Sequence, residues 1–531
     1  MTGRRSWTRA VTAASAVLLL LLACRVLVET RRADAQPAAK PLAARAAASK
    51  DLVWSDGSDI VTLDGGFVID VVTNTLADLI FDHLVRYRPD MSTEPDLAES
   101  WSVGNNNLSW TFKLKKGIKF SSGNPVDAEA VKFSLDRIMD EKTGAANRGV
   151  YAAVSRVEVV DPSAVRITTK SPFPDLLTAL ADRAGAITDP AEAKKYANPK
   201  DVGLHPVGSG PYMLAEWEPG VKIVLKRNPH YTGRHTALDS ITYKPVPEAG
   251  TRMAMLKAGD ADIITKPVLD DLPALEKDPT LKVLKKPGFN LIMYEMLTDK
   301  KPLNDVRARR AITYAVDRKA LAEKLLNGLA TPARSTVSPG VGPSFYFPQP
   351  ALEYSPDKAK QLLKEAGYPN GFDIDMWSSN GRYLKDREVS EAIQAYLAAV
   401  GIRAKLQTFE WATYQAKWHA PDRTMWLIGR SAGNTDFMFT RLFSKAEWDK
   451  GANNNTRFYD PTVEELLVKA RSTFDAKERA AFYKQIQERT WAFMPALYLY
   501  TQDIVVAQRA NIAGLEVMGN EVLVLRGVDK K

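Results

Sequence analysis

Apolar and polar residues alternate along Trp110–Phe120 (WTFKLKKGIKF) with a break at Gly117, the two-residue period of a strand or hairpin. The period then changes. Asp127 stands where a helix N-cap belongs, and Val131, Leu135 and Ile138 follow at i, i+4 and i+7 on one helical face. Val221, Ile223 and Leu225 alternate with Lys222 and Lys226, which predicts a strand ending at Asn228-Pro229. Asp305 is expected to open a long helix through Leu326, closed by Gly328, with Asp305 and Arg309 paired at i, i+4. Val389, Ile393, Leu397 and Val400 line another helix that Gly401 stops, and Ile402–Leu406 reads as the next strand. Helices and strands alternate throughout, so the fold class is α/β. No segment recurs at the roughly 20–50-residue period of solenoids or propellers.

The N-terminus departs from this pattern. Residues 1–9 carry three arginines, and Ala10–Cys24 is an apolar run containing Val17–Leu22. A basic start before a short apolar run is the pattern of a secretory signal, and the run is short for a membrane span. Three readings remain open: a lipoprotein box at Leu21-Leu22-Ala23-Cys24 with a lipid on Cys24, ordinary cleavage after Ala33-Asp34-Ala35, or an uncleaved anchor. All three put the body outside the inner membrane, in the periplasm. Residues 1–35 are read as leader, and 36–50, rich in Ala, Pro, Lys and Arg, as a linker that buries no core. The folded body begins near Asp51.

This division changes the meaning of the charge. The chain of 531 residues has a formal net charge of +9. The leader holds six arginines against two acids and the linker three basic residues with no acid, which leaves the body at +2. A nucleic-acid-binding face is therefore not expected. The length calls for two or more domains. One cysteine, Cys24, excludes an intrachain disulfide and a thiolate zinc site.

Signs of catalysis are missing. There is no GxGxxG and no GxxxxGK[ST]. Gly208-Ser209-Gly210 resembles a nucleophile elbow, but Val207 stands two before the serine where GxSxG needs glycine. The five histidines are scattered, and Asp260 and Asp262 read as a solvated turn. No metal, no cofactor and no enzyme activity are expected. A secreted hydrolase with paired carboxylates in a cleft remains the alternative from another class.

Several blocks together resemble the solute-binding proteins of peptide/nickel-type ABC transporters, family 5. They are PDLAESW (Pro95–Trp101), WTFKLKKGIKFSSG (Trp110–Gly123), DAEAVKFSLDRI (Asp127–Ile138) and PVGSGPYMLAEWEPGVKIVLKRNPHY (Pro206–Tyr231). KPLNDVRARRAITYAVDRKAL (Lys301–Leu321), YSPDKAKQLLKEAGY (Tyr354–Tyr368), YDPTVEELLVKARSTFDAKERAAFYKQIQ (Tyr459–Gln487) and PALYLY (Pro495–Tyr500) follow in order. The resemblance spans about residues 52 to 525. It implies a two-lobe periplasmic-binding-protein fold with an extra subdomain: lobe I at 51–287 plus 500–531, an insertion near 78–205, and lobe II at 288–499. Hinges are implied near Lys286–Asn290 and Leu497–Thr501. The implied function is capture of a small-molecule solute by lobe closure and delivery to ABC permease subunits in the inner membrane, by a monomer. A binding protein serving as a sensor without transport is a further alternative.

The resemblance also points to the solute. Peptide-binding members hold the solute ammonium with an Asp in a loop written Gly-Trp-x-x-Asp-x-x-Asp-Pro. Here Gly429 and Asp436 match, Arg430 replaces the Trp, and Gly433, followed by Asn434, replaces the ammonium-binding Asp. A buried ammonium needs a charged partner, so a modified peptide, opine, sugar or small anion is expected rather than a plain dipeptide. Arg430 is expected to attract an anion. Arg382 and Tyr383 fall in a loop where relatives place an Arg for a carboxylate, and Trp411 matches an aromatic that stacks on the solute. Asp70 is a candidate acid for a cationic group, with a helix-cap or surface role as the alternative.

Overall fold

The alternating stretch at Trp110 gives the strand Ser109–Leu114 of a four-stranded sheet, while those at Val221 and Ile402 join one mixed eleven-stranded sheet. In chain order the strands of the larger sheet are β1 (Asp51–Asp56), β2 (Tyr212–Glu218), β3 (Lys222–Arg227), β4 (Ser240–Pro245), β5 (Ile263–Thr265), β6 (Leu281–Met296), β7 (Ala330–Pro332), β8 (Asp373–Ser379), β9 (Arg403–Phe409), β10 (Met425–Arg430) and β11 (Ala496–Arg509). Across the sheet they run β9-β8-β10-β6-β11-β5-β1-β4-β3-β2, with β7 also on β11. This is a computed structural model, which describes residues 50–531 except 68–69, 105, 234–236, 418–422, 432–434 and 449–453. The leader with Cys24 and its cleavage alternatives, the linker to residue 49, and Gly433 and Asn434 lie outside the described residues.

Strands β6 and β11 are the long central pair, and their register shifts twice. One shift lies between Lys286 and Asn290, the other opposite Ile292/Met293, where Leu499 is left over between Tyr498 and Tyr500. Gly288 sits in the first: a Cβ there would stand 2.1 Å from the Gln502 carbonyl. Apolar clusters form on either side of this pair. Leu52, Trp54, Leu76 and Tyr243 belong to one, and Met293, Trp377, Ile393 and Leu427 to another. Residues 84–187 build a separate core around Phe112 and Val131 beneath a four-stranded sheet.

The helices used below are α1 (Val71–Ile80), α2 (Ala128–Met139), α3 (Leu176–Ala181), α4 (Val306–Ala315), α5 (Asp386–Ala398), α6 (Thr435–Phe443), α7 (Pro461–Ser472) and α8 (Ala476–Phe493). Asp127 caps α2 through the Ala130 N–H at 2.9 Å, and Val131, Leu135 and Ile138 are buried as expected. Val389, Ile393 and Leu397 form the buried face of α5. The helix from Asp305 is shorter than expected. Asp305 caps it, but Val316 is extended, and Asp317 starts a new turn by accepting the Ala320 N–H. A second cap-forming side chain interrupts a run whose apolar spacing continues. Asp305 pairs with Arg307, while buried Arg309 donates to the carbonyls of Leu303, Phe493 and Met494. Asp262 is also not in a solvated turn: it is buried and accepts the Val53 N–H and the Lys530 ammonium. The serine of Gly208-Ser209-Gly210 donates to Asp82 at 2.9 Å, and a Cβ at residue 208 would press on the Ile80 carbonyl.

Candidate functional site

The loop after β8 folds back on one carboxylate. Asp386, at the start of α5, accepts the N–H groups of Gly381 and Arg382 at 2.9 Å and of Tyr383 at 3.2 Å, together with the Ser379 hydroxyl. Burial pushes this carboxyl up, and the N–H donors oppose the shift. The folded loop presents Arg382 and Tyr383 side by side. The Arg382 Cζ lies 4.9 Å from the Tyr383 ring and 5.4 Å from the Trp411 ring. The two rings meet edge to face at 6.2 Å. Three residues named from sequence, on two segments, therefore form one cationic and aromatic cluster.

Arg382 is 4% exposed, and its Nη1 meets Glu521 at 3.4 Å. Burial pulls its pKa down, but Glu521, Tyr383 and Asp56 outweigh this and hold it above the usual arginine value. The Arg382 Nε is buried and without an acceptor among the described residues. A guanidinium has five donors, and one of these five meets an acceptor here. Glu521 also accepts from the Asn290 amide at 2.9 Å, and it sits at φ +73° in the turn that returns from Met518 to Val522. Sequence reasoning missed Glu521. No local pattern marks it, although a non-glycine residue held at positive φ is the kind of strain that gathers at functional sites.

Glu521 also lines a cavity of about 20 Å³, with Trp54, Asp56, Thr75, Lys266 and Gln502. Burial raises the Asp56 carboxyl, but Lys266 at 3.0 Å, Arg252 and Arg382 overcome this and hold it well below the usual range. The cavity has room for about one water.

The structure places other expected site residues differently. Arg430 does not face solvent but is held by a buried acid: its Nε donates to Glu295 at 2.9 Å and its Nη2 to the same oxygen. The two side chains are 1% and 2% exposed, and Trp426 donates to the second Glu295 oxygen. A desolvated cation closes on the nearest buried acid, here across the β6–β10 ladder. Asp70 caps α1, accepting the Thr73 N–H and hydroxyl at 2.8 Å, so it is a capping residue rather than a free acid. Asp436 pairs with Arg471 at 2.9 Å, and its own N–H donates to Asp175. Its carboxyl is committed inside the fold. Gly429 is needed where it stands, because a Cβ there would collide with Asn290 and Tyr383, whose hydroxyl accepts the Gly429 N–H at 2.7 Å.

The model of the bacterial extracellular solute-binding proteins, family 5 Middle, matches residues 92–450. The chain belongs to this family. The glutathione-binding protein GsiB of Shigella dysenteriae is 33% identical over 486 residues, covering 90% of this chain and 94% of that protein. Among solved structures, the periplasmic binding protein DppA of Helicobacter pylori, in complex with the peptide STSA, superposes with a TM-score of 0.85. It is 27% identical, with 91% and 98% of the two chains covered. MoaA of A. tumefaciens R10, in complex with mannopinic acid, gives a TM-score of 0.84 at 27% identity over 91% and 100%. This family 5 protein thus has the two-lobe fold of periplasmic binding proteins, and the family binds solutes for ABC transporters rather than catalysing reactions.

Proposed function

We propose that the chain is the periplasmic receptor of an ABC importer, and that its solute carries a compact amino-acid zwitterion, as a γ-glutamyl peptide or an opine does. The observation that carries this reading is the under-used guanidinium of Arg382, clamped by Tyr383 and Trp411 with Glu521 beside it. A carboxylate takes the open donors of Arg382, while an ammonium on the adjacent carbon reaches Glu521. In a plain dipeptide the two charges stand a peptide unit apart and do not fit one Arg–Glu pair. Replacement of the ammonium-binding Asp by Gly433 points the same way, and so do relatives that bind glutathione and mannopinic acid. The lobes, 51–287 plus 500–531 and 288–499, close by bending at Lys286–Asn290 and Leu497–Thr501, where the central strands already break register. The closed form hands its solute to the permease subunits.

A thermal-shift screen tests the solute. Glutathione or an opine at 100 times its Kd should add about 2.7 kcal/mol of stability, with dipeptides such as Ala-Ala silent. A larger shift from dipeptides than from glutathione and opines overturns the zwitterion reading and leaves an ordinary peptide receptor. Loss of uptake on deleting the gene separates a transport receptor from a sensor.

A further inference from the structure

A second cation stands apart from the Arg382 cluster. Helix α6 docks its first turn on Asp175, whose carboxylate accepts the Asp436 N–H at 2.8 Å. Helix α3 leaves from the same Asp175 and ends at Asp182-Arg183. Arg441 lies in the last turn of α6, and the charges that act on it are those of Arg430, Arg183, Glu295 and Asp182. The two acids are already engaged. Glu295 holds Arg430 and Trp426, and Asp182 accepts the Arg183 N–H at 2.7 Å and its Nε at 3.1 Å. Two neutral pairs thus leave Arg441 as the surplus charge.

Nothing described neutralises it. The Arg441 Nε is buried without an acceptor among the described residues, and the only partner recorded there for its guanidinium is the Phe437 ring, 5.6 Å away. The side chain as a whole is part exposed, so it is reachable from solvent. Burial, reinforced by Arg430 and Arg183, pushes its pKa down to about 9. A protein that keeps a desolvated, unpaired guanidinium beside two others holds a place suited to an anion. The same charges connect to the first cluster, because Tyr383 stands between Arg382 and the strand end carrying Arg430.

We infer that Arg441 forms a second anion subsite that takes a carboxylate of the solute remote from the zwitterion held at Arg382. This rests on the solute reading above and narrows it to molecules with a second carboxylate. Arg441 is a specificity residue, and Arg430 keeps its structural pairing with Glu295.

The test compares wild type and R441Q by calorimetry with glutathione, with its glycine monoethyl ester, and with glutarate as a bare dicarboxylate. R441Q should weaken glutathione at least tenfold, esterification should weaken wild type by a similar factor, and the two losses should not add. The unliganded R441Q should melt no lower than wild type, since it relieves an uncompensated charge; a merely structural arginine would lower the midpoint. If R441Q does not fold, the ester comparison on wild type carries the test. Silence from glutathione with glutarate binding lost in R441Q would sink the zwitterion reading and keep the subsite. Equal losses for acid and ester, unchanged affinities in R441Q, or no binding of either carboxylate probe would overturn the subsite.

Discussion

The buried charges differ in what each arginine meets. Arg430 has Glu295 at 2.9 Å, while Arg382 has Glu521 at 3.4 Å through one nitrogen and two aromatic faces. The first pair supports the fold, and the second is the one proposed to take a solute. Arg382→Ala should therefore weaken an anionic or zwitterionic solute by about 1.5–3 kcal/mol, the range for hydrogen bonds to charged groups. Arg382→Lys should recover little of this, since an ammonium neither stacks on both rings nor offers a planar fork; calorimetry on both variants decides the point. Glu295→Ala should destabilise the protein by about 3–5 kcal/mol by stranding Arg430, while replacing both partners with apolar residues of like volume should cost far less. Denaturant titration gives the comparison. Arg382, Tyr383 and Trp411 could be named from the resemblance, which puts an Arg and an aromatic in those loops, but that they meet was not readable. Glu295 could not be named, because it meets Arg430 across a ladder between segments 135 residues apart.

Helices whose caps and apolar faces agree, such as α2 and α5, were readable from spacing alone. The run from Asp305 was not, because Asp317 competes for the backbone while Leu321 and Leu326 keep the helical period. Nor did the pattern reveal the polar closure of the hairpin Val85–Tyr87/Thr93–Pro95. Asp96 follows that hairpin and accepts the His83 N–H at 2.9 Å, and burial beside Asp82 pushes its carboxyl up to about 6. Its folded pKa thus exceeds the unfolded value near 3.8. The native state binds the proton more tightly, so stability attached to this group is present below pH 4 and lost as pH rises to about 6. Asp96→Asn keeps an acceptor for His83 without the charge. It should be more stable than wild type at pH 7, by on the order of 1 kcal/mol, with the advantage gone at pH 4. An advantage that persists at pH 4 would mean the carboxyl titrates normally.

At the scale of the molecule, Asp175 joins the core of residues 84–187 to α6 and α8. One oxygen takes the Arg479 guanidinium of α8, and the other takes the Asp436 N–H of α6. Phe437, next along α6, packs on the core of residues 84–187. Asp175 lies in the first proposed lobe and Asp436 and Arg479 in the second, so the proposed bending at the two breaks in register would part them. A contact made only in the closed form adds to solute affinity without touching the solute. Asp175→Asn keeps an acceptor for the Asp436 N–H and removes the ion pair with Arg479. It should raise the Kd for the solute roughly 5- to 30-fold where the open form dominates, mainly through faster release, and enlarge the radius of gyration of the unliganded protein in X-ray scattering. A lower melting point with unchanged Kd and unchanged scattering would make Asp175 a static brace, and would place the closing motion somewhere other than the Lys286–Asn290 and Leu497–Thr501 segments.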